Sequence, residues 1–426
     1  MIKKILDLHI HSKYSRACSP SLNLPNIAET CERRGINIVS TGDFTHPAWF
    51  GHMKECLMED TLGVYKLKDG SSMTRFILGT ELSCIKKHKG KTRRVHVCVF
   101  APSLEVVENF NNKLEKMGFN LKSDGRPILG LPVKELLKIM LEVDERMVMI
   151  PAHAWTPWFG IFGSKGGYDT LEEAFEELTP HIFAIETGLS SDPIMNWSLS
   201  MLDNITLVSN SDAHSCAKLG REANVMQFKS DDRVTYGEIM RILRENDKEN
   251  FLYTIEFYPE EGKYHYDGHR KCNFVCAPEE TAKLKGICPV CKKPLVIGVE
   301  NRVHELADRS IEDVEKIKDK KIPYKSLVPL SEIIADVFSC GVNTKKVKVQ
   351  YDEMIEKIGN EFYILLEVDL NIIEKNSSKQ IANAVDRVRK GNIFVKPGYD
   401  GEFGIVKVFA DDEDRGLGKQ VQLDLE

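Results

Sequence analysis

The sequence lacks any apolar stretch long enough to cross a bilayer. Its first residues, MIKKILDLHIHS, hold too few apolar positions before Asp7 and His9 to form a secretory signal. We therefore expect a cytoplasmic protein. The chain also lacks an excess of positive charge, because its formal net charge is -6. Any nucleic acid must therefore be met by a local basic patch or by metal ions rather than by the charge of the whole protein.

The eleven cysteines do not indicate disulfides, because no secretory signal accompanies them. They favour free thiols and metal ligands instead. The length of 426 residues exceeds what one hydrophobic core organises, which predicts two or three domains. With 42% hydrophobic and 29% charged residues, the composition is that of a folded protein.

The first half of the chain repeats one unit: a short β-branched apolar run, a polar residue able to bind metal at its end, and a stretch with helical periodicity. The strand-like runs are KKILDLHIHS, INIVSTGDF, RFILGTELS, RVHVCVFA, RMVMIPAHAW, IFAIETG and ITLVSNSDAH. Helical periodicity is found in stretches such as LPNIAETCERRG, LPVKELLKIMLEV and TLEEAFEEL. Alternating strands and helices predict an α/β fold with a parallel sheet. Seven such units can close into a distorted (β/α)7 barrel with its active site at the carboxyl ends of the strands.

The pattern changes after DRVTYGEIMRILRENDKEN, which we interpret as the last helix of the barrel. We predict a barrel in residues 1–255, a cysteine module in residues 256–300 and a smaller α+β domain in residues 301–426. In the last domain, SLVPLSEIIADVFS and SKQIANAVDRVRKG predict helices and EFYILLEV predicts a strand.

His9 and His11 form an HxH pair at the end of the first predicted strand. Because side chains alternate along a strand, both imidazoles point to the same side, as two ligands of one ion require. Taken alone, the pair could also be two exposed histidines. Five other strand-like runs end in ligand-type residues, namely Asp43, His46, Glu81, His96, His153, Asp212 and His214. This repetition favours a metal site.

Imidazoles mixed with carboxylates suit zinc, manganese or iron, and magnesium is a further candidate. The number of ligands predicts two to three ions, with Glu81 as the bridging carboxylate. Glu186, at the sixth strand-like run, fits either a ligand, an indirect contact to one, or a salt bridge inside the barrel.

The motifs DLHIHS, TGDFTH, GTELS, PAHAW and SDAH resemble those of the polymerase-and-histidinol-phosphatase (PHP) superfamily over residues 1–214. The resemblance implies a trinuclear phosphoesterase site on a distorted barrel. It implies one ion held by His9, His11, Glu81 and Asp212, a second by Glu81, His96 and His153, and a third by His214 with Asp43 or His46. The chain departs from the pattern after the HxH pair, where Tyr14, Arg16 and Cys18 stand in place of a further histidine.

Multimetal sites of this kind clamp a phosphate, lower the pKa of a bound water, and stabilise the attacking and leaving oxygens. We therefore predict in-line attack of metal-bound hydroxide on a phosphorus ester, with Asp212 and Glu81 in the catalytic centre. Arg221 is our candidate for neutralising charge on the phosphate, although it also fits an ordinary surface position.

Cys272, Cys276, Cys288 and Cys291 have a spacing that lets four thiolates converge on one zinc ion. We predict a structural zinc, because four thiolates leave no open position for water. The alternative is four reduced, buried cysteines. The module is surrounded by Lys283, Lys285, Lys292 and Lys293, which fit either contact with nucleic acid or ordinary solvated side chains.

The barrel motifs, HYDGHRKC, the cysteine module and PGYDGEFG together resemble the endonuclease Q family over nearly the whole chain. The resemblance implies a DNA repair endonuclease acting on damaged DNA. It implies cleavage 5′ of deaminated bases (uracil, hypoxanthine, xanthine) or of abasic sites. Two other classes stay open: a small-molecule phosphatase like histidinol phosphatase, and a non-catalytic DNA-binding protein.

The loop WTPWFGIFGSKGG is too rich in aromatic residues and glycine for an ordinary helix. Its aromatic rings are those of Trp155, Trp158, Phe159 and Phe162. They either insert between stacked bases or cover a flipped base, or they only fill the mouth of the barrel. His265, His269 and Arg270 either contact substrate or link domains. The tail GKQVQLDLE has the glutamine and leucine of a sliding-clamp peptide but lacks its aromatic pair, which favours a disordered tail.

Overall fold

A computed structural model describes residues 1–410 of the chain. Within these residues, no helix combines the length and the apolar character needed to span a membrane. The strands up to residue 256 are β1 (Ile2–Asp7), β2 (Ile38–Ser40), β3 (Leu57–Thr61), β4 (Val64–Leu67), β5 (Arg75–Ile77), β6 (Gly79–His88), β7 (Lys91–Phe100), β8 (Ile128–Leu129), β9 (Val148–Pro151), β10 (Ala184–Glu186), β11 (Thr206–Val208), β12 (Ala223–Phe228) and β13 (Phe251–Glu256). The α-helices of this region are α1 (Leu24–Arg34), α2 (Pro47–Cys56), α3 (Leu104–Lys116), α4 (Val133–Val143), α5 (Leu171–Phe175), α6 (Pro193–Trp197) and α7 (Tyr236–Arg244).

The seven strand-like runs of the sequence all contain strands, and the three helical stretches between them contain α1, α4 and α5. Helix α1 shows why the pattern was readable. Asn23 caps its first turn, and Gly35 ends it in the left-handed conformation that glycine adopts without strain. Its apolar residues Leu24, Ile27 and Cys31 are buried on one face.

The fold is mixed α/β, and the expected parallel sheet is present only in part. Strands β1, β2 and β5 are parallel neighbours, as are β10 and β11. The chain segment after β1 meets the segment after β11 through a parallel bridge between Ile10 and Ala213. By contrast, β12 lies between β1 and β13 and runs antiparallel to both, and β9 runs antiparallel to β7. A closed (β/α)7 barrel therefore stays a prediction.

The largest departure from the parallel pattern is the hairpin of β6 and β7, which pair antiparallel over ten residues each. Only Lys89 and Gly90 connect the two strands, and both have positive φ. A two-residue turn of this kind joins antiparallel strands, whereas parallel strands need a long crossover. Glu81 and His96 therefore lie inside long strands rather than at strand ends, which corrects their predicted position.

The remaining described residues form short elements. They are β14 (Asp267–His269), β15 (Phe274–Cys276), α8 (Pro278–Lys283), α9 (Val299–Leu306), α10 (Ile311–Ile317), β16 (Tyr324–Ser326), α11 (Leu330–Val337), α12 (Lys345–Lys357), α13 (Glu361–Leu366), α14 (Leu370–Asn376), α15 (Lys379–Arg389), β17 (Phe394–Lys396) and β18 (Ile405–Lys407). Strand β16 pairs parallel with β13, so the sheet that contains β1 continues past residue 256.

The prediction of a strand at EFYILLEV is wrong, because this segment forms helix α13. The Asn360 side chain accepts a hydrogen bond from Tyr363 N and so starts the helix. At the other end, Arg389 donates to the carbonyls of Ile364, Leu365 and Val368. The helix is therefore fixed by a cap and by a distant arginine, neither of which the apolar run itself reveals.

Candidate metal centre

The first group of metal-ligand atoms comes from three places in the fold. His9 and His11 follow β1, Glu81 lies in β6, and Asp212 follows β11. One ligand atom of each residue lies within 4.8 Å of the other three. His11 Nε2 is 3.1 Å from Asp212 Oδ1 and 3.2 Å from Glu81 Oε2. The two histidines of the HxH pair thus reach one point in space.

The second group consists of Glu81, His96 and His153. Glu81 Oε1 is 2.8 Å from His96 Nδ1 and 3.1 Å from His153 Nε2. Glu81 therefore belongs to both groups, with one carboxylate oxygen facing each. This is the geometry that a bridging carboxylate needs, and all three side chains are buried.

Both groups fit divalent cations. His9 Nε2 is buried without a hydrogen-bond partner among the described residues, and it lies 3.5 Å from Glu81 Oε2 and 3.7 Å from Asp212 Oδ1. A buried polar atom without a partner costs free energy, and a cation among these atoms would remove that cost. Imidazoles combined with carboxylates are ligands for zinc, manganese or iron.

Glu186 and Asp43 contact the far side of the two HxH rings. Glu186 Oε2 is 3.0 Å from His9 Nδ1, and its carboxylate also accepts hydrogen bonds from His153 N and Asn210 Nδ2. Asp43 Oδ1 is 3.1 Å from His11 Nδ1. Carboxylates in this position fix the orientation of a metal-ligating imidazole and leave its Nε2 free for the ion. Glu186 also lies within 4.8 Å of donor atoms of His9 and Cys98.

The residues that the resemblance assigned to a third ion do not form one donor group in the described structure. Asp43 Oδ2 accepts hydrogen bonds from Ser12 and Ser15. The His46 ring stacks on Tyr14 at 4.3 Å. His214 Nδ1 lies 2.8 Å from the Asp212 carbonyl oxygen. A third ion therefore stays a prediction.

Backbone strain is concentrated at this site. Asp43, His153 and Asp212 have φ values of 48°, 31° and 46°, in the left-handed region that residues with a Cβ rarely adopt. Gly188, itself at positive φ, packs so closely that an added Cβ would lie 2.6 Å from the His153 Cβ. Strain of this kind persists only where surrounding contacts enforce it, and it is concentrated at functional sites.

The ionisable groups of the centre act on one another strongly. Burial opposes charge on Glu81, yet His96 and Arg126 hold its pKa well below its usual range. Burial lowers the pKa of His96 to about 4 despite the nearby Glu81. His96 is therefore neutral near pH 7, the form in which an imidazole binds metal. Burial alone would lower the pKa values of His9 and His11, but the surrounding acidic groups raise both.

Arg126 is the functional candidate that the sequence analysis missed. Its Nη1 lies 2.8 Å from Glu81 Oε2, and its side chain keeps 26% exposure. Its position depends on Gly125, where an added Cβ would lie 2.3 Å from Asp43 Oδ2. Nothing in the loop sequence LKSDGRPILG signals this contact. Arg221, the predicted phosphate ligand, instead donates from Nε to the Ser211 carbonyl at 2.9 Å and so supports the loop that holds Asp212.

The aromatic loop after His153 divides into core and surface residues. Trp155 and Phe162 are completely buried with ring centres 5.0 Å apart, which corrects their assignment to substrate binding. Phe159 stacks on the His96 ring at 4.3 Å. Trp158 is 43% exposed and meets the Tyr264 ring edge-on. Of the four rings, that of Trp158 is the most exposed.

The donor group of the cysteine module contains one residue that the sequence analysis did not assign to it. Donor atoms of Cys272, Cys288, Cys291 and His269 lie within 4.8 Å of one another. His269 Nδ1 is 3.3 Å from Cys291 Sγ, so this histidine lies beside three of the four cysteines. Cys276 Sγ instead lies 3.2 Å from Thr281 Oγ1. Three sulfurs and one imidazole nitrogen also form a zinc ligand set.

The reason is the hairpin of β14 and β15. His269 ends β14 and is followed directly by the turn, whereas Cys276 pairs with Asp267 at the far end of β15. The turn end carries Cys272, so the histidine is nearer to it than Cys276 is. The other predicted substrate residues lie outside this cluster. Arg270 is exposed and its backbone N–H donates to Asp400, while the buried His265 is 3.0 Å from Glu300.

Comparison with known proteins finds one family profile and several relatives that match this chain. Residues 329–392 match a family profile described as the MJ0043 C-terminal domain. The uncharacterised protein MJ0043 of Methanocaldococcus jannaschii is 30% identical over 256 residues, which are 59% of this chain and 31% of that protein. The chain thus spans about a third of the length of this relative.

Two solved structures match nearly the whole chain. The lesion-specific endonuclease PfuEndoQ from Pyrococcus furiosus is 31% identical, with a TM-score of 0.83 and 95% of each chain covered. This chain belongs to the endonuclease Q family. A structure of endonuclease Q with a 27-mer duplex that has an abasic lesion at the active site is also 31% identical, with a TM-score of 0.81, covering 95% of this chain and 96% of that one. With the clustered metal-ligand atoms, this membership identifies a metal-dependent hydrolase of the nuclease class.

Proposed function

We propose that the chain is a lesion-specific DNA repair endonuclease that hydrolyses the phosphodiester bond 5′ of a damaged nucleotide. Its substrates are duplexes containing uracil, hypoxanthine, xanthine or an abasic site. The observation that carries the proposal is the pair of donor groups that share Glu81, in a chain of the endonuclease Q family. The related structure with an abasic duplex at its active site supports damaged DNA as the partner.

The first donor group, His9, His11, Glu81 and Asp212, would hold one divalent ion, and His96 with His153 and Glu81 would hold a second. Such ions, when bound, neutralise phosphate charge and make water acidic enough to act as a nucleophile. Glu186 and Asp43 hold the His9 and His11 rings in place. The number of ions and their identity are part of the proposal.

Arg126 supplies a protein cation at the same point. It is partly exposed beside Glu81, so its guanidinium is able to contact both the carboxylate and an incoming phosphate. A fixed cation at the phosphate stabilises the additional charge of the transition state without rearrangement. We therefore assign to Arg126 the role that the sequence analysis gave to Arg221.

A small cavity of about 210 Å³ beside Trp158 is our candidate for the nucleotide taken out of the duplex. Trp158, Tyr264 and Lys263 line it, together with Thr156, whose Oγ1 is 3.0 Å from His153 Nδ1. The cavity therefore adjoins a residue of the second donor group. Enzymes that act on damaged bases in duplex DNA extrude the nucleotide and stack it on aromatic side chains.

The domain assignment is part of the same proposal. Residues 1–255 form the catalytic barrel, residues 256–300 the zinc module, and residues 301–426 a domain that contacts DNA. The pairing of β13 with β16 fixes the third unit against the first. Contact with a sliding clamp through GKQVQLDLE concerns residues 418–426, which lie outside the described part of the chain.

The test is incubation of manganese- or magnesium-loaded protein with end-labelled duplexes that contain one uracil, hypoxanthine, xanthine or abasic site, or no lesion. We expect a nick 5′ of the lesion and none in undamaged DNA. Asp212→Ala should abolish it, whereas Asp232→Ala, which removes a carboxylate from an exposed turn, should not. Hydrolysis of a small phosphomonoester without nicking of any duplex would refute the proposal.

A further inference from the structure

A cleft with a strong positive charge opens beside the second donor group. It has a volume of about 650 Å³ and lies between the start of β7 and the glycine-rich end of the loop that follows His153. Its lining contains five cationic side chains and two carboxylates. We call it the basic cleft, and its main residues are Lys91, Arg93, Arg94, Lys165 and Arg302.

Strand β7 carries residues of both the basic cleft and the second donor group. Arg94 and His96 lie two residues apart in β7, on the same face of the strand, so their Cα atoms are about 7 Å apart. The loop is fixed to this strand by hydrogen bonds from His96 N to the Phe159 carbonyl and from Arg94 N to the Gly166 carbonyl, at 2.8 and 2.9 Å. A DNA strand that passes His96 is therefore within reach of Arg94.

The glycines of the loop let its backbone form the wall of the cleft. A Cβ on Gly163 would lie 2.3 Å from the Thr156 carbonyl oxygen, and one on Gly167 would lie 2.4 Å from Gly163 N. Such contacts are impossible for other residues. The loop is thus folded tightly upon itself, and this fold places the exposed Ser164 and Lys165 at the mouth of the cleft.

Two of the five cations have structural partners. Arg93 is buried and donates to the Gly167 carbonyl and to Glu173. Arg302 is buried and donates to the Phe162 carbonyl, and it pairs with Asp169 and Glu305. These arginines hold the loop, and their charges are largely balanced.

The other three cations, Lys91, Arg94 and Lys165, have no ion pair with any described residue. Asp169 also lines the cleft, where Arg302 and Lys91 lower its pKa, so the charge left for an anionic ligand is chiefly that of Arg94 and Lys165. An extended polyanion is the ligand that would use three such cations at once, because phosphates repeat along a nucleic-acid strand. Contacts of this kind position a duplex without reading its sequence.

We propose that the basic cleft binds the phosphodiester backbone of the DNA strand next to the scissile bond, through Lys91, Arg94 and Lys165. This inference rests on the proposed function, because it takes DNA as the substrate. It adds where the substrate strand lies: past His96 and along β7 toward the glycine loop. The metal centre and the basic cleft then form one continuous binding surface for the strand.

The test measures binding of an abasic duplex by the full chain in an Asp212→Asn background, which prevents cleavage. We compare Arg94→Gln/Lys165→Gln with Lys116→Gln/Lys138→Gln, which removes two exposed charges from the outer helices α3 and α4. The cleft variant should raise the dissociation constant about tenfold per residue. It should also lower the dependence of log affinity on log salt by about one for each lost phosphate contact. The control variant should change neither.

A second measurement replaces single phosphates with uncharged methylphosphonates near the lesion. The parent protein should lose affinity at one or two phosphates beside the scissile bond, and the cleft variant should lose nothing further there. Equal additional losses in both proteins at every phosphate, or equal affinities of the cleft and control variants, would overturn the inference. If the protein with its native Asp212 neither bound nor nicked any lesion duplex, the proposed function would be refuted instead. The two failures are therefore distinguishable.

Discussion

Asp43 Oδ1 lies 3.1 Å from His11 Nδ1, on the opposite side of the imidazole ring from the first donor group. The second oxygen of Asp43 is held by Ser12 and Ser15 at 2.7 and 2.8 Å. Asp43, itself predicted to be a metal ligand, thus contacts a residue of the first donor group. The same relation holds between Glu186 and His9, where the distance is 3.0 Å.

The first prediction follows from this contact. Asp43→Asn keeps the size of the side chain but removes the charge that orients His11, so metal affinity should fall by about 10- to 100-fold. Titration with manganese in competition with a chromophoric chelator measures the affinity. Asp232→Asn, on the surface, serves as the control. A loss of all binding would show that Asp43 is itself a ligand.

The second prediction concerns Arg126. Because its guanidinium lies against Glu81 at the exposed side of the centre, Arg126→Ala should lower the single-turnover cleavage rate by about 100- to 1,000-fold at saturating metal and DNA. Metal content should be retained. Arg221→Ala, which removes only the bond to the Ser211 carbonyl, should have the smaller effect. A larger loss of cleavage rate in Arg221→Ala than in Arg126→Ala would instead assign the phosphate contact to Arg221.

The third prediction separates His269 from Cys276 in the zinc module. Cobalt(II) bound to thiolates gives a sulfur-to-metal charge-transfer band that the histidine and carboxylate site lacks, so absorption reports this module alone. His269→Ala should lose most of the band and lower the melting temperature, while Cys276→Ser should keep both. Retention in the first variant and loss in the second would establish four cysteines as the ligands.

The fourth prediction is a change of stability with pH. Glu222 and Glu256 lie beside the Ala223–Ile255 pair of β12 and β13, and both side chains are fully buried. Burial raises the pKa of Glu256 to about 7, and burial with the neighbouring Glu256 raises that of Glu222. Between pH 4.5 and about pH 7 the folded state therefore holds protons that the unfolded state has released, so these groups lower stability as pH rises.

Glu256→Gln should remove this loss. The parent should lose roughly 3 kcal/mol more free energy of unfolding than the variant when the pH rises from 5 to 8. Urea unfolding at the two pH values measures it. Glu249→Gln, on the surface, controls for the change of residue type. An equal pH dependence in parent and Glu256→Gln would show that the two carboxylates have a buried cation between them or are otherwise compensated.

The fifth prediction divides the aromatic loop. Trp158→Ala should leave the melting temperature nearly unchanged, because the ring is 43% exposed, but it should weaken binding of a lesion duplex by roughly 10- to 100-fold through lost stacking. Phe162→Ala should destabilise the fold by about 3–5 kcal/mol because its ring is buried. Thermal unfolding and fluorescence polarisation with labelled DNA separate the effects. Unchanged lesion binding by Trp158→Ala would exclude the cavity beside it as the nucleotide site.

Local patterns in the sequence were sufficient for seven strand-like runs of the first half, several helices and most metal-ligand candidates. The HxH pair is readable because alternation along one strand fixes where both rings point. His153 and Asp212 are readable because they end short apolar runs. The family resemblance was also visible in such short motifs, and the structural relatives confirm endonuclease Q.

Other roles depended on contacts between distant segments. Glu81 serves two donor groups because β6 forms a hairpin with β7, which carries His96, and because the segments that follow β1 and β11 bring His9, His11 and Asp212 to it. Arg126 reaches Glu81 across 45 residues of chain. His269 lies closer than Cys276 to Cys288 and Cys291 because a short hairpin sets which side chains face them. By itself, the sequence determined the residue types and their local direction, since these follow from short-range periodicity. The tertiary structure alone decided which of them meet, because a donor group forms between segments whose separation in space is set by the packing of the whole sheet.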